Sequence, residues 1–218
     1  MISSSWASDL SPASFAFLGE AFRATLARTG PGLCIEAGTR LGGSAQLMLE
    51  ILRESFPVDP PMLWTIDPYG CKPYRSGTAE TSGSGLYGNV AYVAMKTLLA
   101  PYPNHAHFFM ESGVFLRDLT SESHVNNRVN NRPYWYTGRR IEPDVVFALL
   151  DGDHDANSIL IDFEHLRKLM VRGGAILVDN YDADPETAKH VNTDRFGEFS
   201  CQVEARTSGE AQALFVKR

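Results

Sequence analysis

Leu33-Cys34-Ile35-Glu36-Ala37-Gly38-Thr39-Arg40-Leu41-Gly42-Gly43-Ser44 is the stretch that decides the fold. It begins as a short apolar run suited to a buried strand, meets an acid, and enters a glycine turn. Glycine lets the backbone turn sharply and approach a ligand closely. From Ser44 to about Phe56 the residues Leu47, Met48, Ile51 and Leu52 fall at helical spacing. A helix opening there would aim free N–H groups at whatever the turn holds. The spacing is not the GxGxxG of dinucleotide-binding proteins, and no Gly-Lys-Ser/Thr marks a phosphate loop. An acid at the strand end would repel a pyrophosphate, and it suits a ribose or a positive charge.

The strand–helix unit recurs along the chain. An N-terminal helix is expected from Ser11-Pro12 to Gly30, with Phe15, Leu18, Phe22 and Leu26 on one face. Further strands are expected at 62–66, 107–110, 145–150 and 175–178, and helices at 89–99, 114–119, 155–170 and 185–196. Two last strands, 201–205 and 211–216, are joined through Ser208-Gly209. Residues 70–88 and 120–142 lack periodicity and are expected to be irregular loops, suited to a lid or a substrate segment. Strands alternating with helices predict an α/β fold: a doubly wound, mostly parallel sheet with a C-terminal antiparallel hairpin. The purely apolar strands agree, because both faces of such a sheet are covered. One domain spanning 1–218 is expected.

Composition narrows the function classes. With 26 acidic and 20 basic residues the net charge is −6, which argues against general nucleic-acid binding. No apolar run approaches the roughly 20 residues of a bilayer span. The N-terminus has no basic n-region followed by an apolar stretch, so no secretory leader is expected. Cys34, Cys71 and Cys201 are widely spaced and form no CxxC pair. A reduced, cytoplasmic protein with cysteines serving as small hydrophobes is expected.

Ligands of doubly wound sheets sit at the carboxyl ends of the strands. There the sequence places Glu36, Asp67, Glu111, Asp151 and Asp179. Asp67 either accepts ribose hydroxyls or caps the turn before Pro68. Asp151, Asp179 and Asn180 offer two carboxylates and an amide oxygen, a hard set that fits Mg²⁺, Mn²⁺ or Ca²⁺ rather than zinc. Their plainer alternatives are a turn start and solvated strand ends. Clustered acids at one edge are costly without a cation. His154 and Asp153 follow the metal aspartate, and either suits a general base.

Glu36-Ala-Gly38-Thr-Arg-Leu-Gly42-Gly43-Ser44, Thr65-Ile66-Asp67-Pro68, Leu150-Asp151-Gly152-Asp153-His154 and Gly173-Gly174-Ala-Ile-Leu-Val-Asp179-Asn180 together resemble class I S-adenosylmethionine-dependent methyltransferases. The macrocin and cephalosporin-tailoring O-methyltransferases are the nearer likeness and catechol O-methyltransferase a more distant one. The match runs from about residue 31 to the C-terminus. The resemblance implies a Rossmann-like seven-stranded sheet. It implies that Glu36, Gly38, Gly42, Gly43 and Ser44 line the methionine end of S-adenosylmethionine, with Thr39 and Asp151 also against the cofactor. It implies further that Asp67 holds the ribose, that Glu111 and Ser112 lie near the adenine, and that Asp151, Asp179 and Asn180 hold Mg²⁺. Asp153 or His154 would take the substrate proton. The glycine spacing departs from the commoner Gly-x-Gly-x-Gly.

The function expected is O-methyl transfer to a small hydroxylated molecule, such as a sugar or secondary metabolite, by a homodimeric enzyme. Tyr134, Trp135 and Tyr136 would either stack on that substrate or form a flap. The alternatives are a metal-independent N- or C-methyltransferase, a non-catalytic scaffold with this fold, and a sugar-nucleotide transferase using Asp151-Gly152-Asp153 as its metal motif.

Overall fold

The apolar runs become strands because five of them lie side by side with both faces covered. In the computed structural model, residues 10–69, 75–76, 79–80, 89–120, 144–204 and 211–218 are described. The chain runs α1 (Pro12–Thr29), β1 (Leu33–Ala37), α2 (Gly43–Ser55), β2 (Leu63–Ile66), a small antiparallel pair β3 (Arg75–Ser76) and β4 (Ala79–Glu80), and α3 (Asn89–Leu99). It continues through β5 (His105–Phe108), α4 (Ser112–Thr120), β6 (Val145–Leu150), α5 (Ala156–Leu169), β7 (Met170–Val178), α6 (Thr187–His190), β8 (Phe199–Glu204) and β9 (Gln212–Lys217). Apart from β3 and β4, the expected loop 70–88 lies outside the described residues. So does the loop 120–142 after Thr120, together with Tyr134, Trp135, Tyr136, Cys71 and the Ser208-Gly209 turn.

One sheet has the order β5-β2-β1-β6-β7-β9-β8. The strands from β5 to β7 are parallel, and β9 and β8 are added antiparallel. This is the expected mostly parallel α/β sheet with a terminal hairpin. The strand order reverses between β1 and β6, which opens a crevice at their carboxyl ends.

Alternate strand residues feed two cores. Cys34, Leu63, Phe147, Leu149 and Leu177 pack under α1, α2 and α3 through Phe22, Met48, Leu52 and Met95. Ile35, Ile66, Ala148, Leu150 and Ile176 pack under α4 and α5 through Phe115, Ile159 and Phe163. Phe163 touches the rings of Phe196, Phe199 and Phe215, which ties α5 to the hairpin. α1 begins as expected: the Ser11 hydroxyl accepts the Ser14 N–H, and Gly30 closes the helix with a φ of 74°. No helix among the described residues is long and apolar enough to cross a membrane.

Three expected boundaries move. The third parallel strand is His105–Phe108 rather than 107–110, because His105 pairs with Leu63 and Phe108 with Ile66. The fifth extends back to Met170 through Gly173 and Gly174. The expected helix at 185–196 shrinks to Thr187–His190, and turn hydrogen bonds carry the rest.

The ladder runs one residue past the strands. Gly38 N–H donates to Ile66, Asp67 N–H to Phe108, Asp151 N–H to Ala37 and Asp179 N–H to Leu150. The backbones at Gly38 and Asp151 are thereby pressed together. A Cβ on Gly38 would lie 2.0 Å from the Asp151 carbonyl oxygen, and its φ is +86°. Gly38→Ala should therefore cost about 3 kcal/mol or more. Urea unfolding measures it, and a loss under about 1 kcal/mol would mean that the two strand ends can part.

Candidate active site

Glu36 is the fourth residue of β1, and its side chain is fully buried. Oε1 accepts the hydroxyl of Ser44, on the first turn of α2, at 2.5 Å. Oε2 is buried with no hydrogen-bond partner among the described residues. Burial pushes the Glu36 carboxyl up to about 8, with the Ser44 hydrogen bond opposing and the Asp67 charge adding to it. Glu36 is thus held ready to ionise beside a cation.

Asp67 follows β2 and braces the glycine turn. Its Oδ2 accepts the N–H groups of Thr39 at 3.1 Å and Arg40 at 3.0 Å. Its Oδ1 accepts the Tyr69 N–H at 2.8 Å. Tyr69 in turn donates its hydroxyl to the Arg40 carbonyl at 2.6 Å. Arg40, Tyr69 and Asn180 have φ values of 45°, 42° and 49°. Among the described residues these are the non-glycine positions in the left-handed region, and each follows the carboxyl end of a strand. Such strain persists only where surrounding contacts enforce it, and it gathers at functional sites.

Asp151 and Asp179 meet across β6 and β7, as their spacing predicts. Burial raises the Asp151 carboxyl well above the usual range, helped by the Asp179 charge, the Glu36 charge and a hydrogen bond with Asp179, and opposed by Arg40. Burial and the neighbouring charge both favour a proton on this pair. Asp179 is also gripped from β9, where Gln212 Nε2 donates to Oδ1 at 2.6 Å. Asn180 comes next in the chain, and its carbonyl accepts the Ala183 N–H.

The two base candidates separate here. His154 Nε2 is 3.9 Å from Asp151 Oδ1, and the side chain is 20% exposed. Burial lowers its pKa against a contact with the Asp179 backbone, so the ring is neutral near pH 7 and free to accept a proton. Asp153 is exposed and shares the Ser158 hydroxyl with Asp155, the N-cap of α5.

The remaining expected residues divide. Thr39, Gly43 and Ser44 are buried in the turn and the first residues of α2, and Gly42 precedes that helix with a φ of 86°. Glu111 lies three residues beyond β5 rather than at its end, and its carbonyl accepts the Phe115 N–H. Ser112 donates its hydroxyl to Asp162 of α5 at 2.5 Å. Gln212, Arg40 and Tyr69 were not foreseen. A lone glutamine among the apolar residues Ala211, Ala213, Leu214 and Phe215 is the signal that would have found the first.

Outside the acids, the β2–β5 side of the crevice is aromatic. The Tyr69, Tyr92 and Phe109 rings lie 5.3 to 6.0 Å apart, with the His107 ring against both tyrosines. His105 and His107 both hydrogen-bond with the Thr65 hydroxyl, and burial holds each near 4.

Among the described residues, no group of three or more His, Cys, Asp and Glu side chains is arranged to hold a metal ion. The oxygens at this edge come from the two carboxylates, with the amide residues Asn180 and Gln212 next to them.

Glu36 carries a pH signature. Its folded value of about 8 stands above the ordinary 4.5, so its contribution to stability is complete below 4.5 and is lost as pH rises through 8. Urea unfolding between pH 5 and 8.5 should show stability falling by roughly a few kcal/mol. Glu36→Gln keeps an acceptor for Ser44 and should flatten much of that slope. An unchanged slope would show that Glu36 is not the titrating group.

No protein-family model matches the sequence, and no curated protein matches it. Solved structures do. CalS11, described as a calicheamicin methyltransferase, superposes with a TM-score of 0.66 at 12% identity, over 95% of this chain and 80% of its own. Its apo form is described as a TDP-rhamnose 3'-O-methyltransferase. The O-methyltransferase NovP gives 0.60 at 14% identity, over 93% and 78%. An O-methyltransferase from Bacillus cereus in complex with SAH gives 0.57 at 14% identity, over 96% and 83%. This chain has the fold that these O-methyltransferases share.

Proposed function

We propose that this protein is an S-adenosylmethionine-dependent O-methyltransferase acting, with Mg²⁺, on a hydroxyl of a small molecule. The observation that carries the reading is the meeting of Asp151, Asp179 and His154 at the carboxyl edge, beside the buried Glu36 and the braced glycine turn. The fold shared with O-methyltransferases supports it, and the sugar named for CalS11 supports a sugar or similarly hydroxylated substrate.

Glu36, Gly38, Thr39, Gly42, Gly43, Ser44 and Asp151 would surround the methionine end of the cofactor, and Asp67 would take a ribose hydroxyl. Glu111 and Ser112 would border the adenine, with the Ser112 hydroxyl already committed to Asp162. When bound, S-adenosylmethionine supplies an activated methyl on a cationic sulfur. The buried acids favour that charge and would give the sulfonium cofactor an advantage over neutral analogues. Asp151, Asp179 and Asn180 are the residues that would hold Mg²⁺. Two carboxylates backed by amides fit a hard ion that keeps several waters of its own, and the ion would lower the pKa of a bound hydroxyl.

His154 is the base in this reading. It is neutral, partly open and next to the acid pair, whereas Asp153 serves the cap of α5. His154 Nε2 would take the proton of the substrate hydroxyl, and the acid pair beside it would stabilise the resulting imidazolium. The strained turns hold the partners in line, which is the larger part of the task. A cytoplasmic homodimer accompanies the reading.

A second reading, metal-independent methyl transfer, draws on the raised Asp151 carboxyl, because a proton on the pair offsets its charge without a cation. Calorimetric titration of S-adenosylhomocysteine with Mg²⁺ and again with EDTA separates the two. Micromolar binding that changes with metal is expected. Binding indifferent to EDTA would favour the second reading, and no binding in either buffer would overturn both. In single-turnover assays on a hydroxylated acceptor, His154→Gln should lower the rate by about 10²–10⁴ with S-adenosylhomocysteine affinity unchanged. A full rate in that variant would remove His154 from the base role.

A further inference from the structure

Gln212 is fully buried on β9, between Ala211 and Ala213. Its Nε2 donates to Asp179 Oδ1, which fixes the amide against the acid pair. Its Oε1 is buried and has no hydrogen-bond partner among the described residues. An orphaned buried carbonyl is costly, and a leucine in this apolar strand would avoid that cost. What the Gln212 carbonyl lacks is a donor or a cation, and the Asp179 carboxylate that the same amide holds is a hard oxygen group.

The backbone supports the same point. Tyr181 N–H donates to the Ala211 carbonyl, and Ala211 N–H donates to Asp182 Oδ1. The turn carrying Asp179 and the left-handed Asn180 is thus stitched to the residues around Gln212.

We infer that Gln212 belongs to the divalent-cation site: its amide N–H orients Asp179, and its carbonyl oxygen is a further ligand for the ion. The inference rests on the Mg²⁺ part of the proposed function. It makes the C-terminal hairpin part of the site, although the hairpin lies last in the chain.

Mn²⁺ tests it, because free Mn²⁺ is counted directly by electron paramagnetic resonance without any turnover. The ion is titrated into the unaltered protein and into Gln212→Leu and Gln212→Met. S-Adenosylhomocysteine affinity and melting temperature are measured on the same samples. Gln212→Leu should bind Mn²⁺ at least tenfold more weakly, within the 10–100-fold range for groups that orient metal ligands, with S-adenosylhomocysteine affinity within twofold. Gln212→Met, close in size and also without the amide, should lose Mn²⁺ affinity to a similar extent. Equal Mn²⁺ affinity in Gln212→Leu would overturn the inference alone. Should Gln212→Leu fail to fold, equal Mn²⁺ affinity in Gln212→Met would overturn it. An unaltered protein that binds S-adenosylhomocysteine but no Mn²⁺ would overturn the inference and the Mg²⁺ assignment while leaving methyl transfer standing.

Discussion

The hydrogen bond from Asp151 N–H to the Ala37 carbonyl closes the centre of the sheet, and the site depends on it. It joins β1 to β6 where the strand order reverses. With no side chain on Gly38, the two backbones meet closely enough for that bond to form. It brings Asp151 beside the Glu36 of the neighbouring strand. The next step of the ladder, Asp179 N–H to Leu150, brings Asp179 to Asp151. Three acids from three strands are thereby set in a row by backbone pairing alone. Their side chains repel one another, and the position of each is set by the ladder.

Burial and mutual charge raise Glu36 and Asp151, so both carboxyls favour their protonated forms. A cation entering the crevice would exchange for those protons. Arg40 already opposes the charge at Asp151 from within the chain, held by a backbone bonded on both sides.

The architecture was legible because the apolar strands are short, uninterrupted and separated by helical periods. Asp151 and Asp179 were legible as a pair because adjacent parallel strands place their ends together. The third strand begins two residues earlier than expected for a physical reason: His105 reads as polar, yet Thr65 satisfies one of its nitrogens, as it does for His107, and burial keeps both rings neutral. The brace from Asp67 to Thr39 and Arg40 was not legible, since it depends on contacts across 27 and 28 residues. Gln212 stands out locally as a lone glutamine in an apolar run, but its partner does not, because antiparallel addition of β9 brings residues 33 apart into contact. Asp153 and His154 differ in their surroundings, which no local pattern encodes: Asp153 is exposed, whereas His154 lies 3.9 Å from Asp151.

The brace also limits what Asp67 can do. An ionised carboxylate offers about four lone-pair sites. Thr39 and Arg40 occupy Oδ2, and Tyr69 occupies one site on Oδ1. One site remains, enough for a single hydroxyl. Engaging both hydroxyls of a ribose would require one of those N–H groups to let go. Arg40 and Tyr69 are both held in the left-handed region, where a non-glycine residue stores strain. Releasing either would return part of that strain as the ligand binds. A doubly bonded ribose would therefore require a rearranged glycine turn, which would couple recognition at the end of β2 to the turn after β1.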